Sequence, residues 1–252
     1  MTITSRQNPK IRHLRRLCSD SAYRRETGLF IADGEKCLQE AVSRGIELAE
    51  IVTLEELPEY SGYELTVVTA ELLEYISPLK TARDVLFVGK IPAPLAQIAP
   101  ATRYVILDGI QDSGNVGTII RTGVAFGLNR FILTPGCADI FSPRTIRASM
   151  GTVFSAEYIY TDCAAIAAAK ARGLRIAGTA LYSEAKQPRD SELLRGGYSA
   201  AFGAEGRGLT VEMTELCDEF VKIPIYGAES LNVAVAAGII LYEMFSEKPG
   251  GK

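Results

Sequence analysis

The sequence predicts an α/β protein: a small α/β domain over residues 1–91, a linker over 92–100, and a parallel-sheet domain over 101–252. Three observations carry this expectation. From Arg103 onward, short apolar runs alternate with helix-length segments, the pattern of a parallel sheet covered on both faces. Glycine and polar clusters follow three of those runs, where open parallel sheets bind their ligands. Between the halves, Pro92, Pro94 and Pro100 fall in the charge-free window IPAPLAQIAP, and each proline fixes φ and removes a backbone donor.

In the first domain, helical and strand patterns alternate through IRHLRRLCS, GEKCLQEAVSRG, LAEIVTL, LTVVT, AELLEYIS and VLFVGKI. The second domain begins with the strand RYVILDGI, the helix VGTIIRTGVAFG and the strand RFILTP. The helix SPRTIRASMG, the strand AEYIY, the helix DCAAIAAAKARG and the strand RIAGTAL follow. SAAFGAE and FVKIPI read as strands on either side of the helix LTVEMTELCDEF, which Thr210 can cap, and LNVAVAAGIILYEMF closes the chain as a helix.

Composition removes several classes of function. At 47% hydrophobic and 23% charged residues the chain is that of an ordinary globular protein. Its longest apolar run, Val233 to Tyr242, falls short of the roughly 20 residues that cross a bilayer, so no membrane role is expected. The N-terminus is polar and basic, unlike a secretory signal. Five scattered cysteines without a C-x-x-C pair indicate neither a zinc site nor a disulfide framework, and a reducing cytoplasm is the simplest setting. His13 is the only histidine, so histidine-based metal sites and Ser-His-Asp or Cys-His catalysis in the second domain are excluded. Gly203, Gly206 and Gly208 run G-x-x-G-x-G, the wrong order for a dinucleotide loop.

The net charge of −3 conceals an asymmetry. Residues 1–25 hold seven cationic side chains against the single acid Asp20, a net of +6, which leaves −9 for the remainder. Arg6, Lys10, Arg12, Arg15 and Arg16 are therefore candidate phosphate contacts, with a solvated basic helix as the equal alternative.

Three clusters hold the candidate chemistry: DGIQDSGNVG, FGAEGRGL and IPIYGAESLN. Asn115 lies in the first, and Arg121 six residues on sits among apolar neighbours, either on an exposed stripe or gripping a phosphate or carboxylate. In the third, Ser230 suits a helix N-cap, which leaves Asn232 unexplained inside the first turn. Ala234, Ala236, Ala237 and Gly238 permit close approach of another backbone or chain.

In order and spacing, NVGTIIRTGVAFG, FGAEGRGL and IPIYGAESLNVAVAAGIILYE closely resemble the three motifs of the SpoU family of RNA 2′-O-ribose methyltransferases, within the SPOUT superfamily. The segment SRQNPKIRHLRRL…GLFIADGEKCLQEAV is similar, more loosely, to a small substrate-binding domain attached to many members. The resemblance implies a C-terminal trefoil knot, S-adenosylmethionine as cofactor, no metal, and a homodimer whose interface lies beside the cofactor. It further implies an RNA substrate bound in part by the N-terminal domain, ribosomal RNA ahead of transfer RNA. Carried onto this chain, Thr179, Ala180, Leu181, Gly203, Glu205, Gly206, Ile223 and Leu231 would form the cofactor pocket. Arg121 would engage the reacting ribose, with Asn115, Ser230 and Asn232 fixing it and the nucleotide. A non-catalytic RNA-binding protein that keeps the fold is the competing reading, and a nucleotide-dependent oxidoreductase is disfavoured by the glycine order.

Overall fold

The computed structural model describes residues 2–246 except 57, 78–84, 101, 181–183, 192, 193, 195 and 197. The chain forms two compact units, one of residues Met1–Ala93 with Asp139–Phe154, the other of Pro94–Ala138 with Ser155–Lys252. The units thus follow contacts rather than chain order, and the SPRTIRASMG helix belongs to the first.

In the first unit, helix α1 (Pro9–Ser19) starts where Asn8 accepts from the Lys10 N–H, with Pro9 in the first turn, where a missing N–H costs nothing. Ile11, Leu14, Leu17 and Cys18 recur at helical spacing and are buried. Asp20 ends α1 and accepts from Tyr23 N–H at 2.9 Å to start α2 (Ser21–Thr27). Strands β1 (Leu29–Asp33), β2 (Leu48–Thr53), β3 (Leu65–Val67) and β4 (Val85–Lys90) form a mixed sheet in the order β1-β4-β2-β3, with helix α3 (Glu35–Ser43) between β1 and β2 in the chain. β1 and the short α2 lie in a stretch where the sequence patterns named no element.

One face of this sheet packs Ile31, Val52, Leu86 and Val88 against α1 and against Leu72, Leu73 and Ile76 of α4 (Ala70–Ile76). Alternate residues point the other way. There Phe30 stacks on Phe141 and Phe154, with ring centroids 5.8 and 5.3 Å apart, around helix α6 (Pro143–Ala148). The buried Arg24 pairs with Asp139 at 2.7 Å and donates to the Leu17 carbonyl at 2.6 Å, so its charge is satisfied within the unit.

The second unit is built on six parallel strands in the order β10-β8-β9-β5-β6-β7. They are β5 (Val105–Asp108), β6 (Arg130–Leu133), β7 (Glu157–Tyr160), β8 (Ile176–Thr179), β9 (Ser199–Gly203) and β10 (Glu219–Val221). Ile106, Ile132, Ile176 and Ala201 share a core with α7 (Cys163–Lys170) and α8 (Val211–Leu216). On the opposite face lie α5 (Ser113–Ala125) and α9 (Val233–Ser246), which pack on each other. Gly123 lets α5 approach: a Cβ there would stand 2.8 Å from the Leu128 carbonyl and 2.9 Å from the Phe131 ring. The run FVKIPI yields only two strand residues, Phe220 and Val221, because from Lys222 the chain leaves the sheet for the loop before α9.

No helix of the described residues is long and apolar enough to cross a membrane.

Candidate active site

At the carboxyl ends of β8, β9 and β10, three loops enclose a cavity of about 720 Å³. Of the residues expected there, Thr179 and Ala180 line it from the end of β8, and Gly203, Glu205 and Gly206 from the loop after β9. Ile223 and Leu231 line it from the segment before α9, and Leu181 lies outside the described residues.

The loop after β9 folds back on its own root. A Cβ on Gly203 would stand 2.0 Å from the Gly208 carbonyl carbon, closer than any side chain tolerates, so only glycine fits. Gly208 N–H donates to the Ala204 carbonyl at 2.8 Å and closes the turn. Its return leg is anchored by Asp108, which sequence reasoning passed over. This carboxylate at the end of β5 is 2% exposed, accepts from Thr210 N–H at 2.6 Å and takes a second bond from the Thr134 hydroxyl at 2.8 Å. The available signal was an acid ending an apolar strand, immediately before glycine.

The cluster before α9 is resolved differently from the sequence expectation. Ser230 does not cap the helix; Asn232 does. The Asn232 Oδ1 accepts from Ala234 N–H at 2.9 Å and Val235 N–H at 3.3 Å, and its backbone carbonyl accepts from Ala236 N–H. The chain is still non-helical at Ser230, so its side chain is too far back to reach the free N–H groups of the first turn. Ser230 instead lines the cavity, with no hydrogen-bond partner among the described residues.

The other end of the Asn232 amide joins the three clusters. Its Nδ2 donates to Glu205 Oε1 at 2.7 Å and to Asn115 Oδ1 at 3.0 Å, and Asn115 Nδ2 donates to the same Glu205 oxygen at 3.0 Å. Asn115 is held because Asp112 accepts its N–H at 2.9 Å as the cap of α5. Residues 115, 205 and 232, far apart in the chain, thus meet in one triangle at the cavity wall.

Arg121 lies outside the triangle. It is exposed on α5, does not line the cavity, and has no hydrogen-bond or ion-pair partner among the described residues. The five basic residues of the N-terminal segment sit in the first unit, mostly engaged. Arg6 pairs with Glu71 at 2.7 Å and lies over the Tyr75 ring; Lys10 pairs with Glu64 at 2.7 Å and Glu50 at 2.9 Å. Arg15 lies 5.3 Å from the Tyr75 centroid, and Arg16 pairs with Asp20 at 3.2 Å and covers the Tyr23 ring. Arg12 is exposed and has no partner among the described residues.

Thiolate chemistry is disfavoured at four of the five cysteines. Burial pushes the Cys18 and Cys217 thiols up to about 12 and raises Cys137 and Cys163 as well, so these four stay protonated near neutral pH.

Residues 102–242 match the SpoU rRNA methylase family, and residues 8–86 match the MRM3-like substrate binding domain. The 23S rRNA (guanosine(2553)-2′-O)-methyltransferase RlmP of Bacillus subtilis is 30% identical over 253 residues, spanning 96% of this chain and 98% of its own length. Among solved structures, the AdoMet-bound rRNA methyltransferase from Sinorhizobium meliloti superposes with a TM-score of 0.87 at 28% identity, covering 99% of both chains. The SpoU methyltransferase AviRb from Streptomyces viridochromogenes, in complex with AdoMet, gives 0.85 at 25% identity over 98% of this chain and all of its own. With two of its clusters lining one cavity and the third joined to them through Asn115, and with matches of this extent, the chain belongs to the SpoU rRNA methylase family.

Proposed function

We propose that this chain transfers the methyl group of S-adenosylmethionine to a ribose 2′-hydroxyl of ribosomal RNA. The observation that carries the proposal is the triangle of Asn115, Glu205 and Asn232 at the wall of a cavity at the strand ends. Ribosomal RNA is favoured because the Bacillus relative is named for 23S rRNA and matches along nearly its whole length.

The cavity suits the methyl donor in size and chemistry. About 720 Å³ lies within the range of small-molecule sites, and its walls combine apolar side chains with the bare backbone of the Gly203 turn. Thr179, Ala180, Gly203, Gly206, Ile223 and Leu231 would hold the donor. When bound, the donor supplies an electrophilic methyl group on a cationic sulfur, so the reaction needs no separate activation of a leaving group. The remaining work falls to the protein: orienting a hydroxyl and stabilising the oxygen as its proton departs. Ser230 offers on the cavity wall a hydroxyl with no partner among the described residues, while Asn115 and Asn232 hold Glu205 in place. Arg121 is an exposed guanidinium without a partner among the described residues, suited to the developing alkoxide or the adjacent phosphate.

The same reading includes a homodimer and a threaded C-terminus. A dimer is supported by the stripe Val235, Ile239, Tyr242 and Phe245 on α9, each 38–54% exposed, with Phe126 against the last two. Threading is supported by the match of residues 102–242 to the family whose motifs imply it. The five free thiols suit the cytoplasm.

The test supplies methyl-labelled donor with unmodified ribosomal and transfer RNA transcripts. Label in ribosomal RNA, at a linkage made resistant to alkali, is the expected result. Label in transfer RNA alone would change the substrate, and donor binding without any transfer would defeat the catalytic reading.

A further inference from the structure

We propose that Tyr226 and Arg207, on two loops at the rim of the cavity, capture the nucleotide that offers its ribose, Tyr226 by stacking on a base and Arg207 by pairing with a phosphate. The inference rests on the RNA methyl-transfer reading and specifies how that site holds its substrate.

Tyr226 is 98% exposed, the most exposed of the large apolar side chains. It sits on the loop whose Ile225 and Glu229 line the cavity, and it makes no ring contact or hydrogen bond with the described residues. None of the described residues uses this ring. Arg207 lines the cavity from the facing loop, between two glycines that offer it no partner. It is exposed, unpaired among the described residues, and the only cation among the lining residues. Glu205 and Glu229 line the same space, so the rim is not a general phosphate trap but carries one localised positive charge.

An exposed aromatic ring and an unpaired guanidinium on two loops of one cavity are the groups that single-stranded nucleic acid recognises, through base stacking and phosphate contact. The reaction creates the need. A ribose must leave its helical surroundings to present a 2′-hydroxyl in a protein cavity, and its base loses a stacking neighbour that an aromatic ring replaces.

The experiment compares the full-length wild type with Tyr226→Ala, Tyr226→Phe and Arg207→Gln. It uses an unmodified large-subunit ribosomal RNA transcript and reads three quantities: the KM for RNA, the calorimetric Kd for S-adenosylmethionine, and the salt dependence of RNA binding with S-adenosylhomocysteine present. Tyr226→Ala should raise the RNA KM about tenfold, and Tyr226→Phe should recover most of that loss. Arg207→Gln should reduce the slope of log K against log salt by about one. Donor Kd should stay within about twofold in all variants. An unchanged KM and slope would overturn the inference. So would a parallel loss of donor affinity, which reassigns these side chains to the cofactor. If the wild type transfers no methyl group, the functional reading fails, while the RNA-binding comparison still decides the role of these two residues.

Discussion

Helix α1 and the start of α9 are both polar clusters visible in the sequence, and the structure treats them in opposite ways. In and just before α1 most of the charges pair within their own unit: Arg6 with Glu71, Lys10 with Glu50 and Glu64, Arg16 with Asp20. At α9, Asn232 reaches across the chain to Asn115 and Glu205, and Ser230 is left with nothing to bond among the described residues. A cluster of charges is therefore a weak sign of a site until its internal partners are known. A cluster whose members reach distant loops, or keep their hydrogen-bonding capacity unspent beside a cavity, is a stronger one.

The largest effect expected on the α9 side is Arg121→Ala. Turnover should fall by at least about 100-fold, as on removal of a group that stabilises developing charge, while calorimetric donor binding stays close to wild type. Near-normal single-turnover rates would put catalysis elsewhere.

On the α1 side the sharpest test is the contrast of Lys10→Gln with Arg12→Gln. Removing Lys10 leaves Glu50, 7% exposed, without its cation and should cost about 2 kcal/mol in urea unfolding. Desolvation pulls the Lys10 pKa down, but the carboxylates of Glu64 and Glu50 together outweigh it and raise it above the ordinary 10.5. A raised ammonium pKa gives stability that is complete below about 10.5 and is lost as pH climbs through the higher folded value. The gap between wild type and Lys10→Gln should therefore hold near neutral pH and close only in strong alkali. Arg12→Gln should leave stability alone and lower the salt slope of RNA binding by about one. If instead the two variants behave alike, the division of α1 into paired and free cations is wrong.

Smaller still is the cap. Asn232→Ala should lose about 1 kcal/mol, whereas Ser230→Ala should change unfolding by no more than a few tenths. Equal losses would return the cap to Ser230.

Much of this fold was legible because it is written locally. The strands from Val105 to Gly203 are short apolar runs, and Thr210 stood where a cap was expected. The assignment of α6 to the first unit was not legible, since Phe141 and Phe154 find Phe30 more than a hundred positions away. Nor was β1, whose pairing partner β4 lies over fifty residues on. The cavity residues could be named from the resemblance, but the triangle could not, because hydrogen bonds between loops have no sequence period. The cap was misplaced for a related reason: serine and asparagine cap equally well, and only the backbone path decides which one stands at the boundary.

Asn232 also gives the triangle a direction. A backbone N–H can only donate, so the amide oxygen must face the helix and its nitrogen must face Glu205. The carboxylate can only accept, so Asn115 in turn shows it nitrogen and shows Asn232 oxygen. Two amides that could each have settled either way round are thereby left with a single arrangement, dictated from the first turn of a helix. The polarity of the cavity wall is inherited from the peptide backbone.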